Sequence, residues 1–353
     1  TSHKKFGTAK WWPFGANSDL SLSSIPMSQT EKDDLPDTID LISARTEFYE
    51  KPTALPTVKK GSIKLDLHRR DFTINTMAVR LDGEFFGDVY DHWGGLNDLQ
   101  KKTIRVLHSL SFVDDPTRML RAVRFEQRFN FKIETRTLEL MKEAVPLLDD
   151  VSGDRIRHEL DQILLENNAI PMIGRLHQLG LLTQIHPSLK WDDTLGKLLE
   201  TFLFNQPDGN WIDFLKTDEF RRKTYGAYAI LLHQAVSNDI QSAIKRLRFK
   251  SDLQKILINI HELWQKRAAL FNLPPGEFCT TIEKYAPLTI FIIWSVVEND
   301  DLKDKILEFV LRWRKIRPIT TGEDLKELRI PPGPIYSAII QKLRIAWING
   351  DIK

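Results

Sequence analysis

Cysteine is almost missing from this sequence: Cys279 is the single thiol in 353 residues. One thiol cannot close an internal disulfide or build a thiolate metal site, so a disulfide scaffold is excluded and a reducing, cytoplasmic location is expected. No stretch reaches the roughly 18 to 20 consecutive apolar residues that a membrane-spanning helix needs. We therefore expect no membrane partner.

The chain also lacks a large excess of positive or negative charge, because it has 50 Lys and Arg residues and 48 Asp and Glu residues. This balance excludes a polyanion-binding surface that depends on net charge, so any contact with nucleic acid has to come from local basic clusters. The composition is otherwise that of a globular protein, with 42% hydrophobic and 28% charged residues. A chain of this length is expected to form more than one domain.

The pattern of apolar residues changes near Asp115-Pro116. Before this point, short apolar stretches alternate with turn residues, among them a strand candidate over residues 38–44 and a stretch over residues 72–81 that ends at Asp82-Gly83. After it, apolar residues recur at helical spacing almost to the end of the chain. The sequence therefore predicts an α+β fold, in which a mixed amino-terminal part precedes a long helical part.

The first candidate site is the segment Arg69–Asn75, with the sequence RRDFTIN. Two adjacent guanidiniums offer about ten N–H donors, which suit phosphate and ribose oxygens. Asp71 and Asn75 are four residues apart, so they can share one face of a helical turn and position an arginine. The alternative is a solvated basic turn in which Asp71 caps a helix.

The second candidate site is the segment Asp91–Asp98, with the sequence DHWGGLND. Gly94 and Gly95 stand between the two aspartates and permit backbone conformations closed to other residues, which a moving hinge needs. By itself the pattern favours an ordinary turn before a helix. The alternative is a flexible loop formed by Asp91, Gly94, Gly95 and Asp98.

The third candidate site is the segment Asp114–Phe125, with the sequence DDPTRMLRAVRF. Asp115 is expected to cap a helix whose first residue is Pro116. Arginines follow at every third position, and the apolar residues between them are expected on the buried side. The arginines are Arg118, Arg121 and Arg124, and the apolar residues are Met119, Leu120 and Val123.

Asp115 and Arg118 place a hydrogen-bond acceptor beside a donor. Cytosine presents an exocyclic amine next to ring N3, and adenine presents one next to ring N1, so one Asp/Arg pair can satisfy either base edge. Guanine and uracil have the opposite polarity. The alternative is a capped helix with ordinary ion pairs between residues three apart, although the macrodipole disfavours cations near a helix N-terminus.

Basic runs with interleaved aromatic residues occur in the helical part, at residues 221–223, 245–250 and 312–317. An RNA backbone is followed by phosphate contacts that need no base edges, whereas each run alone is also typical of a solvated helix face. The candidate RNA-binding residues are Lys245, Arg246, Arg248, Arg314 and Lys315.

Together these motifs resemble those of class II tRNA nucleotidyltransferases and their bacterial poly(A) polymerase relatives. Arg69–Asn75 matches the family's RRDFTIN motif, Asp91–Asp98 resembles its flexible loop, and Asp114–Phe125 resembles its base-reading helix, usually written E-D-x-x-R. Ser152–Leu160 looks like the neck motif that buttresses that helix. The resemblance implies a partial nucleotidyltransferase head over residues 1–100, a neck over 101–168, an RNA-binding body over 169–272 and a tail over 273–353.

The resemblance implies template-independent addition of CMP and/or AMP to the 3′ end of tRNA, with ATP and CTP as substrates and Mg²⁺ as cofactor. Arg69, Arg70 and Asp71 would contact ribose and triphosphate, and Asp115 with Arg118 would read the base. The whole expected nucleotide-binding set is Arg69, Arg70, Asp71, Asn75, Asp115, Arg118, Arg121 and Arg124. The last two arginines of this set would hold phosphate or orient the reading pair.

Asp40 aligns with a strand carboxylate that positions the attacking 3′-hydroxyl, and a strand-end aspartate in a turn is the alternative. The sequence departs from the family pattern at Asp114, where glutamate is usual. The family's phosphate loop and its Asp-x-Asp metal pair are expected upstream of this chain. Three readings stay open: an enzyme that adds CCA, CC or A, a poly(A) polymerase, and a catalytically silent RNA-binding module. The oligomeric state also stays open.

We expect these 353 residues alone to bind ATP or CTP weakly but not to extend tRNA. Nucleotidyl transfer of this kind uses carboxylates on one strand face to hold two metal ions, and the sequence contains no Asp-x-Asp. The test is incubation of the purified chain with Mg²⁺, labelled CTP and ATP, and a tRNA that lacks its 3′ end. Robust extension would contradict this expectation and direct attention to Asp40.

Overall fold

The structure, a computed structural model, describes residues 2–3, 7–12, 36–48, 57–205 and 207–352. Two compact units divide the chain, the first formed by Thr1–Arg118 and Phe131–Ala144 and the second by Met119–Asn130 and Val145–Lys353. All described strands lie in the first unit, and the described part of the second is helical. The predicted α+β fold is confirmed, and the division into head, neck, body and tail stays a prediction.

The strands of the first unit are short. Those described are β1 (Ser2–His3), β2 (Thr8–Trp11), β3 (Ile39–Ile42), β4 (Arg45–Phe48), β5 (Thr57–Lys60), β6 (Ala78–Val79), β7 (Val89–Tyr90), β8 (Thr103–Ile104) and β9 (Lys132–Ile133). β1, β2 and β3 form an antiparallel sheet in which Lys10 lies opposite Asp40. β4 pairs with β5 and β6 with β7 in antiparallel ladders, whereas β8 and β9 are parallel. The strand predicted over residues 38–44 is present as β3.

The helices of the first unit surround a small apolar core. They are α1 (Ile63–His68), α2 (Gly95–Gln100), α3 (Ser111–Asp114) and α5 (Thr135–Ala144), while α4 (Arg118–Arg128) begins at the last residue of the unit's first segment. Phe72, Ile104 and Met141 are completely buried. Phe72 also forms a β-bridge with Val106. The RRDFTIN segment is thus anchored to the core by its own phenylalanine.

The second unit consists of α4 beyond its first residue and of the helices that follow residue 152. These are α6 (Gly153–Leu164), α7 (Ala169–Gln178), α8 (Leu181–Ile185), α9 (Asp193–Phe204), α10 (Gly209–Leu215), α11 (Glu219–Leu232), α12 (Ser237–Leu247), α13 (Ser251–Asn272), α14 (Pro275–Ile282), α15 (Pro287–Val296), α16 (Asp300–Leu311), α17 (Gly322–Glu327) and α18 (Pro334–Asn349). Short 3-10 helices at Val145–Asp150 and Trp313–Lys315 connect some of them.

Large aromatic side chains fill the core of the second unit. Trp211 is 1% exposed, and its ring lies 4.9 Å from Phe291 and 5.1 Å from Trp294. The apolar side predicted for α4 is confirmed, because its Met119, Leu120 and Val123 are completely buried. None of the helices in the described residues combines the length and the apolarity that crossing a membrane requires.

We expect Gly153→Ala to destabilise the protein. A Cβ at Gly153 would lie 2.0 Å from the carbonyl oxygen of Arg246, a backbone atom that cannot swing aside as the end of a side chain can. Overpacking of this kind costs about 1–3 kcal/mol in free energy of unfolding, measured by urea denaturation. Gly209→Ala is the matched control, because nothing lies within 4 Å of its Cβ position. Equal effects of the two substitutions would contradict the prediction.

Candidate nucleotide-binding site

The buried carboxylate of Asp66 accepts hydrogen bonds from both arginines of the RRDFTIN segment. Asp66 lies near the end of α1, and its Oδ1 accepts hydrogen bonds from Arg69 Nε at 3.2 Å and Arg69 Nη2 at 2.8 Å. Its Oδ2 accepts one from Arg70 Nη2 at 3.0 Å. The backbone N–H of Arg45, at the start of β4, donates to Oδ1 at 3.1 Å. The two guanidiniums therefore share one acceptor that is itself 3% exposed.

The surroundings of Asp66 favour its ionised form. Burial by itself would raise the pKa of this carboxyl, but the hydrogen bonds from Arg69, from the Arg45 N–H and from Arg70 outweigh it and lower the pKa below the ordinary value. Asp66 was not among the residues predicted from the sequence. The signal that points to it is its spacing, because Arg69 and Arg70 follow it by three and four residues on one helical turn.

Asp71 and Arg118 bring the first and third motifs together. Arg118 Nε lies 3.4 Å from Asp71 Oδ1, and Arg118 Nη2 donates to the carbonyl oxygen of Arg69 at 2.9 Å. Its Nη1 donates to the carbonyl oxygen of Ser111 at 3.3 Å. Arg118 is 3% exposed, so its guanidinium is oriented on several sides by the protein. The arginine that Asp71 contacts is thus Arg118, which is distant from it in sequence.

Asp115 lies where α3 ends and the turn into α4 begins. Its backbone is extended, with φ −143° and ψ 95°, and its Oδ1 accepts hydrogen bonds from Thr117 N at 3.0 Å and Thr117 Oγ1 at 2.6 Å. This is the capping bond expected of Asp115. The helix itself begins at Arg118 rather than at Pro116. Residues 116 and 117 form a tighter turn, in which the Arg118 N–H donates a hydrogen bond to the Asp115 carbonyl oxygen.

Arg121 and Arg124 lie in the second unit and contact carboxylates of α6 and the loop after it. Arg121 Nη1 donates to Glu159 at 2.8 Å, and Arg124 lies 3.9 Å from Glu159 and 4.0 Å from Glu166. Glu159 belongs to the segment that resembles the neck motif, so the expected buttress of α4 is present as ion pairs. Whether Arg121 or Arg124 also contacts phosphate stays a prediction.

The segment predicted as a flexible loop is organised by its two aspartates. The carboxylate of Asp91 accepts hydrogen bonds from Gly95 N at 2.8 Å and Leu96 N at 2.9 Å. Burial would raise the pKa of Asp91, but these backbone bonds lower it. Gly94 has a positive φ of 73°, which glycine adopts without strain. The geometry is that of a capped turn before α2, and movement of this segment stays a prediction.

Asp98 and Gly95 hold this segment against the RRDFTIN segment. Asp98 is 2% exposed and accepts hydrogen bonds from Thr73 Oγ1 at 2.7 Å and Arg105 Nε at 3.0 Å. A Cβ on Gly95 would lie 2.4 Å from the carbonyl oxygen of Thr73, so glycine permits a close approach here. Asn75 lies in the 3-10 helix Thr73–Asn75, beside these contacts.

Asp114, the departure from the family pattern, pairs with a histidine. Asp114 Oδ2 lies 3.8 Å from His108 Nε2, and the His108 ring stacks on that of His68 at 5.7 Å. Burial lowers the pKa of His108, and the negative charge of Asp114 opposes that effect. At neutral pH this surrounding favours an uncharged imidazole.

Asp40, the candidate catalytic residue, lies within β3 rather than in a turn at its end. Its carboxylate is 62% exposed and lies 3.8 Å from Lys10 Nζ across the sheet. Among the described residues, no group of three or more His, Cys, Asp or Glu side chains is arranged to hold a metal ion. The described residues alone therefore do not fit a two-metal centre.

The candidate RNA-binding residues of the second unit differ in what they contact. Lys245 and Lys315 are exposed. Arg248 is 64% exposed and contacts Asp154 at 3.1 Å, whereas the Arg314 guanidinium lies over the Phe214 ring at 4.8 Å. Arg246 instead donates to two backbone carbonyls, those of Leu148 at 2.6 Å and Val151 at 2.8 Å. Its guanidinium is thus engaged with the protein backbone.

Comparison with known proteins supports the resemblance seen in the motifs. Residues 22–105 match the family described as poly A polymerase head domain, and residues 130–192 match the probable RNA- and SrmB-binding site of polymerase A. An A-adding tRNA nucleotidyltransferase of Geobacter sulfurreducens is 36% identical over 324 residues, 89% of this chain and 36% of that protein. An A-adding tRNA nucleotidyltransferase of Halalkalibacterium halodurans is 30% identical over 89% of this chain and 71% of that protein.

Solved structures extend the similarity to the fold. A CCA-adding enzyme in an apo form has a TM-score of 0.74 at 30% identity, covering 90% of this chain and 74% of that one. A Thermotoga maritima CCA-adding enzyme complexed with tRNA has a TM-score of 0.67 at 28% identity, covering 88% and 78%. The chain belongs to the tRNA nucleotidyltransferase and poly(A) polymerase family. It spans about a third of the length of the Geobacter relative.

Proposed function

We propose that this chain is the nucleotide- and tRNA-binding part of a nucleotidyltransferase that adds CMP and/or AMP to the 3′ end of tRNA without a template. The observation that carries the proposal is the contact of Arg118 with Asp71 and with the Arg69 carbonyl, beside Asp115. It gathers the base-reading and phosphate-contacting candidates at one place in the first unit. Similar structures of CCA-adding enzymes with CTP and with ATP, at 29% and 30% identity, support both nucleotides as substrates.

The base is selected by hydrogen-bond polarity in this proposal. The Asp115 carboxylate accepts from the exocyclic amine of cytosine or adenine, and Arg118 donates to the adjacent ring nitrogen. Both side chains are mostly buried, at 8% and 3% exposure, so few water molecules compete for those bonds. Arg69, Arg70 and Asp71 contact ribose and triphosphate.

Mg²⁺ is the cofactor we propose, in a cytoplasmic enzyme. Asp40 is its one candidate ligand among the described residues, which do not form a metal centre by themselves. The residues of this chain bind the nucleotide, orient its base and hold tRNA.

Asp115→Ala is expected to relax nucleotide selection. Loss of the acceptor should reduce discrimination against GTP and UTP by about 1–3 kcal/mol, the contribution of a good bidentate base contact. The measurement is the binding of all four triphosphates to the chain, by calorimetric titration. Asp82→Ala is the matched control, because this carboxylate of the same unit is 79% exposed and pairs with Arg80. Unchanged selectivity in Asp115→Ala would contradict the assignment.

tRNA binding is expected to weaken with salt, because phosphate contacts release counterions. Combined reversal of Lys245 and Arg248 to glutamate should weaken all tRNAs alike and flatten the log–log salt dependence by about 0.7–0.9 per lost phosphate contact. Arg246 is left unchanged, since it holds two backbone carbonyls. Reversal of Lys266 and Lys326, two exposed lysines of other helices, controls for net charge. Equal slopes in both variants would place Lys245 and Arg248 outside the RNA interface.

A further inference from the structure

We propose that Asp66 is a positioning residue that sets Arg69 and Arg70 for the triphosphate of the incoming nucleotide. The inference rests on the proposed function, because it assigns a task to a residue behind the predicted phosphate contacts. Asp66 itself is 3% exposed and contacts both arginines, so it acts through them.

The arrangement divides the two oxygens of Asp66 between the two arginines. Oδ1 accepts hydrogen bonds from Nε and Nη2 of Arg69, and Oδ2 accepts one from Nη2 of Arg70. Two neighbouring guanidiniums repel each other, and a carboxylate shared between them offsets that repulsion while leaving a net positive charge for an anion. The side chains of Arg69 and Arg70 are 16% and 41% exposed, so Arg70 is the more accessible of the two.

Arg70 retains an unused donor in this arrangement. Its Nε is buried and has no hydrogen-bond partner among the described residues. A buried donor without an acceptor costs free energy, which a ligand oxygen recovers when it binds. A guanidinium N–H is a strong donor to a phosphate oxygen, so this Nε suits one oxygen of a phosphoryl group.

Asp66 also connects the arginines to the strand region that carries Asp40. Its Oδ1 accepts the backbone N–H of Arg45, the first residue of β4, which follows β3 after two residues. The Gly61 N–H donates to the Ala44 carbonyl at 3.0 Å and holds the start of α1 to the same place. One carboxylate thereby ties the Arg69 and Arg70 side chains to the start of β4, the strand that follows the one carrying Asp40.

Preorganisation is the expected benefit of this arrangement. Arginine side chains lose considerable rotamer freedom when they bind a ligand, and a residue that fixes them beforehand removes that cost from the binding step. A residue with a merely structural task would lower stability but would leave the preference for triphosphate over monophosphate unchanged. The ratio of ATP to AMP affinity therefore separates the two roles.

The experiment compares ATP and AMP binding to the full chain by ³¹P NMR titration. Asp66→Asn removes the charge, and we expect ATP to bind about ten-fold more weakly, as for the loss of a charge-assisted hydrogen bond, while AMP affinity stays within about two-fold. Arg70→Ala should reproduce this loss, and the double variant should lose no more than either single one. Glu134→Gln is the matched control, because this carboxylate lies in the same unit and contacts Arg105 and Thr137 instead.

Asp66→Glu is a second variant, which keeps the charge and moves the carboxylate oxygens by one methylene. We expect it to fold and to lose less of the preference for ATP over AMP than Asp66→Asn does. An unchanged ATP to AMP ratio in both Asp66 variants, with a reduced ratio in Arg70→Ala, would overturn the inference and leave the proposed function standing. Equal losses of ATP and AMP would also overturn it. A parent chain that shows no preference for ATP would overturn both the inference and the proposed phosphate contacts.

Discussion

A buried guanidinium needs acceptors and an opposite charge inside the protein, and Arg118 finds them in segments far apart in sequence: two backbone carbonyls accept its hydrogen bonds, and the Asp71 carboxylate forms an ion pair with it. Its partners are Asp71, the Arg69 carbonyl and the Ser111 carbonyl, and it is 3% exposed. The Arg69 carbonyl is 49 residues away along the chain. Because an unpaired buried charge costs several kcal/mol, the RRDFTIN segment and the start of α4 are held to one geometry. The candidate site exists through this constraint.

Carboxylates organise the rest of the first unit in the same manner. Asp66 fixes two arginines, Asp91 caps α2, and Asp98 joins Thr73 to Arg105. Each accepts several N–H or O–H donors, and in Asp66 and Asp91 these hydrogen bonds lower the pKa of the carboxyl against the effect of burial. These three carboxylates therefore act on other groups of the protein and fix the side chains and turns around the candidate site.

The sequence allowed the motifs and the α+β fold to be predicted, because both depend on local signals. The capping bond of Asp115 and the buried side of α4 follow from residue type and spacing. Asp66 was missed, since a carboxylate three and four residues before arginines is common on exposed helices and spacing does not reveal burial. Arg246 was expected to face RNA, whereas its donors reach the Leu148 and Val151 carbonyls almost one hundred residues earlier. Such contacts depend on tertiary packing, which no local pattern encodes.

Arg246 and Arg157 form hydrogen bonds with backbone carbonyls in two parts of the second unit. Arg246 donates to the carbonyls of Leu148 and Val151, and Arg157 on α6 donates to the carbonyls of Leu247 and Arg248, where α12 ends. The end of α12 therefore supplies acceptors for Arg157, and the segment just before α6 supplies acceptors for Arg246. The start of α6 and the end of α12 should therefore open as one cooperative unit, with matched protection of their amides against hydrogen exchange.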